Sequence, residues 1–317
     1  MIDRALLDRV THVVTHASCP DGIASAVLLH DALEDTKVEF VSYGTPDYEN
    51  LKAEEGMLFC DITPPRERVQ EFVDVGAIVL DHHAQQADIV ARFGDRGRYA
   101  DLKEEPGVSG AMLAYRHVWL HRCVSETSSM AANARRFAEL AGIRDTWQTG
   151  DPSWKLACEQ AEALRFYPWL KLAAIKEPFG YGAEKLSTMM SIGPILIART
   201  IDAAHKAIDT ACNFRSDKGT HVVVINTLHT SDAAEMVAVV PDLPVLVVGY
   251  LYQVHGDKVK LTLSMRSRTG YDVGAFCASL GGGGHRAAAG ATLHVNSTDP
   301  NPYATIRKLV DDYERGG

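Results

Sequence analysis

No window of this chain holds the ~18 uninterrupted apolar residues that a membrane helix requires, so no spanning segment is expected. The N-terminus, MIDRALLDRV, carries an acid or a base every few residues and lacks the apolar core and small-residue cleavage site of a signal peptide. A cytoplasmic location is the expectation. Cysteine is sparse and scattered: Cys19, Cys60, Cys123, Cys158, Cys212 and Cys277 form no CxxC pair and no disulfide-like spacing, which predicts free thiols in a reducing compartment. Positive charge is also short. The formal net charge of -9 argues against a broad basic face for long duplex DNA, because non-specific affinity for a polyanion comes from Lys and Arg neutralising phosphates. Any nucleic-acid partner should be short or held locally. There is no internal repeat and no low-complexity segment.

With 317 residues, 46% hydrophobic and 23% charged, the chain fits two globular domains, each with its own core. The first half alternates short apolar runs with helical patterns: HVVTH at 12–16, VEFVSYG at 38–44, MLFCD at 57–61 and AIVLDHH at 77–83. Continuous apolar runs bounded by turns and separated by helices read as buried parallel strands. The expected fold is therefore α/β: an N-terminal doubly wound, mostly parallel sheet, followed by a smaller C-terminal α/β domain of mixed sheet. From about 107 the pattern turns helical, and SGAML at 109–113 reads as a helix start capped by Ser109. The stretch from 194 to about 215 has apolar residues at helical spacing and is expected to be a connecting helix, dividing a first domain, 1–193, from a second, 216–317. Beyond it THVVVINT, VLVVGYLYQV and VKLTLSMRS are β-rich, with HGDK between the last two reading as a hairpin turn.

In open α/β sheets ligands bind beyond the carboxyl ends of the strands. His16, Asp61 and Asp81-His82-His83 each close an expected strand. Carboxylate and imidazole are good ligands for Mn²⁺, Fe²⁺ or Zn²⁺. A lone DHH tripeptide is equally compatible with an ordinary polar strand end; Asp21, in HASCPDG after the first strand, and Asp145, in GIRDTW, make the metal reading the stronger one.

This constellation resembles the DHH phosphoesterase superfamily. GGGGHRAAAG at 281–290, preceded by SMRS at 264–267, resembles the glycine-rich motif of the associated C-terminal domain, and HASCPDGIASA looks like the branch of nanoRNases and oligoribonuclease-like phosphodiesterases. The resemblance implies one metal at His16 and Asp61, and a second at Asp21, Asp61, His82 and Asp145, with Asp61 bridging. It places His83 beside the substrate and Asp81 behind an imidazole, orienting it. One position departs from the pattern: Ser18 and Cys19 stand where many members have a further aspartate. Cys19 either ligates, which would tilt selectivity away from Mg²⁺, or packs against the sheet.

Two divalent cations, Mn²⁺ first and Mg²⁺, Fe²⁺ or Co²⁺ as alternatives, would lower the pKa of a shared water and neutralise charge at an in-line phosphoryl centre. In the second domain Gly282, Gly283 and Gly284 could bring backbone N–H groups to a phosphate, with His285 and Arg266 as further donors; a plain glycine turn is the alternative. By resemblance this loop and Arg266 would grip the far phosphate of the substrate. Trp147, Trp154, Tyr167 and Trp169 could stack a base, although their irregular spacing favours packing. The expected activity is hydrolysis of short oligoribonucleotides or pGpG-type dinucleotides to mononucleotides. The alternatives are a 3′-phosphoadenosine 5′-phosphate phosphatase, an exopolyphosphatase, and a nucleotide-binding module without hydrolysis. The expected partner is a short RNA or dinucleotide, not a membrane or duplex DNA; a homodimer is left open.

Overall fold

Val13, Val14, Leu58, Phe59, Val79 and Leu80 are fully buried, so the strands that carry them are covered by apolar side chains on both faces. These strands belong to the first of two units, Met1–Ile197 and Ala198–Gly317, in a computed structural model that describes every residue except 18, 34, 123–127, 209–210, 227–245, 256–257, 268–270, 297–300 and 317. Ser18, Cys123 and the middle of the HGDK turn therefore lie outside the described residues. The five described cysteines form no disulfide.

The first unit is built on β1 (His12–His16), β2 (Lys37–Val41), β3 (Met57–Cys60), β4 (Ile78–Asp81) and β5 (Gly97–Tyr99), in the order β2-β1-β3-β4-β5. All neighbouring pairs are parallel. The fifth strand has no apolar run of its own: Gly97-Arg98-Tyr99 pairs along β4 from Val79 to Asp81 at the sheet edge, where the partner strand rather than local pattern decides the conformation. One face of the sheet packs Val13, Leu58 and Leu80 against helical residues such as Leu28, Trp119 and Phe137; the other packs Val14, Phe59 and Val79 against Phe72 and Ile89. Helices thus cover both faces, as the apolar strands require.

Helix α1 (Pro20–Ala32) follows β1 directly, with Pro20 at its first turn and Cys19 as an extended cap without a side-chain hydrogen bond. It is buried nearly all round, from Asp21 to Asp31, as a helix between sheet and outer helices must be. Helix α2 (Gly110–His117) starts where expected, the Ser109 hydroxyl accepting from the Met112 N–H at 3.4 Å. It is followed by α3 (Ser129–Asp145), α4 (Trp154–Phe166), α5 (Trp169–Ala173), α6 (Ala183–Met190) and α7 (Gly193–Ile208). The helix expected over 194–215 is thus shorter: Cys212–Arg215 form a strand paired antiparallel with residues 221–224, and sheet pairing overrides the helical spacing of this stretch.

The second unit holds β6 (Cys212–Arg215), β7 (His221–Asn226), β8 (Leu246–His255), β9 (Lys258–Ser267), β10 (Gly283–His285) and β11 (Ala288–Asn296), in the order β10-β11-β9-β8-β7-β6. The sheet is mixed, since β7 and β8 are parallel and the other pairs antiparallel. The expected β8–β9 hairpin is present, from Leu246↔Ser267 to His255↔Lys258. Alternate residues Leu261, Leu263 and Met265 face a core with Val273 and Phe276 of α8 (Val273–Ser279) and Ile306 and Val310 of α9 (Pro302–Gly316). Among the described residues, no helix is long and apolar enough to cross a membrane.

Candidate metal centre

The carboxyl ends of β1, β3 and β4 lie side by side because β1 and β4 both flank β3. His16 is the last residue of β1, Asp61 stands just past Cys60 of β3, and Asp81 ends β4 with His82 and His83 beyond it. Asp61 turns into the site through a left-handed backbone conformation, φ 61°, which a short polar side chain tolerates better than a bulky one. Its N–H donates to the Leu80 carbonyl at 3.0 Å, which ties that turn to β4.

Around Asp61 the expected residues converge. The His82 Nε2 lies 3.2 Å from Asp61 Oδ1, 3.5 Å from Asp145 Oδ2 and 3.9 Å from Asp21 Oδ2, while His16 Nδ1 lies 3.9 Å from Asp61 Oδ2. Three overlapping sets, His16–Cys19–Asp61, Asp61–His82–His83 and Asp21–His82–Asp145, each keep their ligand-type atoms within 4.8 Å of one another. Cys19 is thus within reach of His16 and Asp61. His82, Asp21 and Asp61 are essentially inaccessible, and Asp145 projects from the last turn of α3.

These groups fit a cation. Burial, then the neighbouring Asp145, raise the pKa of Asp21, and burial, then Asp21, push Asp61 far above the ordinary carboxylate range. Crowded carboxylates in a dry site favour an added positive charge. His16 is depressed to about 4, mainly by burial, which keeps its imidazole neutral and able to ligate. Its Nδ1 and the Asp61 Oδ2 are buried without a hydrogen-bond partner among the described residues, the state of donor atoms aimed at an ion. Burial and Asp61 also raise the Cys19 thiol well above its ordinary value, so ligation there would require the ion to displace the proton.

Asp21 has a second duty. Its carboxylate accepts from the N–H groups of Gly110 at 2.7 Å and Ala111 at 3.1 Å, at the start of α2, where exposed N–H groups and the helix dipole favour an anion. Gly110 escaped the sequence reading as a site residue. A Cβ there would stand 2.6 Å from the Asp61 Cβ and 2.8 Å from Asp21 Oδ2, so only glycine lets α2 approach both ligands. The available signal was a glycine directly after the Ser109 cap.

Asp81 stands behind the second imidazole of the motif. Its Oδ1 accepts from the His82 and His83 N–H groups at 2.6 and 2.8 Å and lies 2.7 Å from His83 Nδ1. Burial opposes ionisation of Asp81, yet His83 holds its carboxyl below the usual range; burial likewise opposes the charged form of His83, yet Asp81 raises its pKa. The expected orienting carboxylate thus serves His83.

In the second unit Arg266 is buried on β9, its Nη1 donating to the Ser264 hydroxyl at 3.2 Å and the Met265 carbonyl at 2.9 Å. The glycine run is only partly loop, since Gly283–His285 form the edge strand β10. Gly282 and Gly284 are required by the fold, because a Cβ would stand 2.2 Å from the Gly290 carbonyl and 2.6 Å from Ala289 Cα; at Gly283 nothing lies within 4 Å. Of the four aromatic candidates, Trp147 and Trp154 pack edge to face at 5.2 Å beside the Arg144 guanidinium, whereas Tyr167 and Trp169 border a cavity.

A scan against protein-family models finds no match, and neither does a search of curated proteins. Solved structures do match. A DHH domain from a protein described as a member of a ribosomal-protein family aligns over 99% of this chain and 88% of its own at 12% identity, with a TM-score of 0.63. RecJ from Thermus thermophilus, in complex with Mn²⁺, aligns over 99% of this chain at 15% identity and a TM-score of 0.52; this chain spans 54% of RecJ. The fold is that of the DHH-domain proteins, with a parallel α/β unit followed by a mixed-sheet unit. The resemblance read from the DHH and glycine-rich motifs is therefore met at the level of fold.

Proposed function

We propose that the chain is a DHH-type, metal-dependent phosphoesterase that hydrolyses short oligoribonucleotides or linear dinucleotides to mononucleotides. The observation that carries this reading is the meeting of His16, Cys19, Asp21, Asp61, His82 and Asp145 at one edge of the parallel sheet. The Mn²⁺ of the RecJ structure supports manganese as the first choice of ion.

His16, Cys19 and Asp61 would hold one ion, and Asp21, Asp61, His82 and Asp145 a second, with Asp61 shared. Bound there, divalent cations supply Lewis acidity toward a phosphate ester. The residues of the chain do the rest. Gly110 and Ala111 fix Asp21 through two N–H bonds, so the carboxylate need not reorganise when substrate arrives. Asp81 holds His83 in one orientation and raises its pKa, which favours the protonated imidazole that a general acid toward a leaving oxygen requires. Asp21, Asp61, Asp81 and His82 are buried away from bulk water, which strengthens the interactions among them.

Short substrates are favoured because a protein of net charge -9 gains little from additional phosphates. Arg266, Gly283 and His285 are the proposed donors to a second phosphate. The test is to incubate the purified protein with Mn²⁺ and a panel of pGpG-type dinucleotides, longer RNA, polyphosphate and 3′-phosphoadenosine 5′-phosphate. Mononucleotide release, fastest from dinucleotides, is expected. Preference for polyphosphate or the phosphomonoester would redirect the substrate, and no hydrolysis of any of them with Mn²⁺, Mg²⁺ or Co²⁺ would leave the non-hydrolytic binding module.

A further inference from the structure

A cavity of about 320 Å³ in the first unit is lined by Ile23, Phe40, Arg165, Tyr167 and Trp169. We infer that it is a stacking subsite for a single nucleobase of the substrate. The inference rests on the phosphoesterase reading for the choice of a nucleotide as ligand and for the place of its phosphate at the metal cluster.

Three observations carry it. The first is that Tyr167 and Trp169 pack against the core and, with Phe40, also border open volume. Phe40, Tyr167 and Trp169 are all only partly buried, whereas Trp119 and Phe59, which belong to the core, are at 0% exposure. The second is that the Trp169 ring is held ready: it meets Phe40 edge to face at 5.4 Å and His30 at 5.5 Å. An aromatic surface fixed before binding costs little entropy to use, and every base has a π-face to offer it. Arg165 adds a guanidinium, anchored to Glu162 Oε1 at 2.5 Å, able to stack on a base or donate to its polar edge.

The third is position. Ile23 lies in the first turn of α1, its N–H bonded to the Cys19 carbonyl at 2.9 Å, and Phe40 pairs with Thr15, the residue before His16. Cavity and metal cluster thus both draw on the end of β1 and the start of α1, the shared elements from which we assign the cavity to the base of a nucleotide held at the cluster. The volume also sets a limit. Small-molecule sites run from roughly 300 to 1,000 Å³, and a cavity at the bottom of that range takes one base, not a stack of them.

The test is intrinsic tryptophan fluorescence of the full-length protein, titrated with AMP and separately with ribose 5-phosphate, which carries the same phosphate without a base. AMP should quench saturably and ribose 5-phosphate should not. Trp169→Phe should keep AMP binding, measured by equilibrium dialysis, but lose the quenching. Trp169→Ala should weaken AMP binding about 5- to 150-fold, the range of one lost base stack. Equal binding of AMP and ribose 5-phosphate, or quenching that survives in Trp169→Phe, would overturn the subsite. If Trp169→Ala does not fold, wild type and Trp169→Phe decide alone. Hydrolysis of bis-p-nitrophenyl phosphate by wild type with Mn²⁺ separates the two claims. Turnover without base-specific quenching sinks the subsite and spares the phosphoesterase; quenching without turnover does the reverse.

Discussion

The imidazole of His82 and the carboxylate of Asp61, from the ends of adjacent strands, stand 3.2 Å apart between Nε2 and Oδ1. Asp61 also faces His16 on its other oxygen, at 3.9 Å. Asp61→Asn keeps the size of the side chain and tolerates the left-handed φ while removing the shared charge. Turnover with Mn²⁺ should fall at least about a hundredfold, since even the residues behind metal ligands cost 10- to 100-fold. The rise in melting temperature on adding Mn²⁺ should shrink with it. Wild-type turnover together with a wild-type Mn²⁺ response would remove Asp61 from the metal centre.

Gly110→Ala places a methyl group 2.6 Å from the Asp61 Cβ. Overpacking of this kind costs about 1–3 kcal/mol, so the variant should melt several degrees lower and require more Mn²⁺ for half-maximal activity. An unchanged metal titration would show that α2 can retreat without disturbing Asp21 and Asp61.

Cys19 lies within ligand reach of His16 and Asp61. Cys19→Asp supplies a hard oxygen in place of sulfur, and the ratio of activity with Mg²⁺ to that with Mn²⁺ should rise about tenfold or more. A stable variant with an unaltered ratio means that Cys19 only packs, and a variant that fails to fold means that the added carboxylate stays buried without a cation.

Arg266 belongs to a row that runs across four strands, Val247 on β8, Arg266 on β9, Ala288 on β11 and His285 on β10. Directly opposed residues share a face of the sheet, so Arg266 and His285 stand on one side, about 10 Å apart at two strand spacings. Arg266→Ala should raise the KM for a dinucleotide at least about tenfold more than that for bis-p-nitrophenyl phosphate. Equal effects on both would place Arg266 in folding alone, a role its bonds to Ser264 and Met265 could fill.

His117 has a folded-state pKa near 4, lowered by burial and then by neighbouring positive charges including Arg98 and Arg116. The unfolded histidine takes up its proton near 6.5. Between these values the unfolded chain binds more protons, so stability falls as pH drops from about 6.5 toward 4 and is independent of this group above that window. His117→Gln removes the effect. The difference in melting temperature between the two proteins should be flat above pH 7 and should grow in favour of the variant toward pH 4.5; parallel curves over the whole range would discount His117.

Local pattern was enough for whatever one segment specifies by itself. Apolar runs announced β1 to β4, and acids and imidazoles at their ends announced which edge would carry chemistry, because a parallel sheet always opens its ligand site there. Ser109 announced a cap, since a hydroxyl before a helix finds its N–H partner within three residues. Other features had no local cause. Gly97-Arg98-Tyr99 is a strand only because β4 offers a free edge, and Cys212–Arg215 leaves the helical pattern only because β7 is there to pair with it. The glycines at 282 and 284 looked like a phosphate loop, but their necessity comes from the backbone of β11. Above all, Asp21 meets the N–H of Gly110 across 89 positions of chain, and the aromatic wall joins Phe40 to Trp169. Residues so far apart in sequence leave no periodic trace of their meeting; the order of strands in the sheet and the packing of helices over it put them in contact.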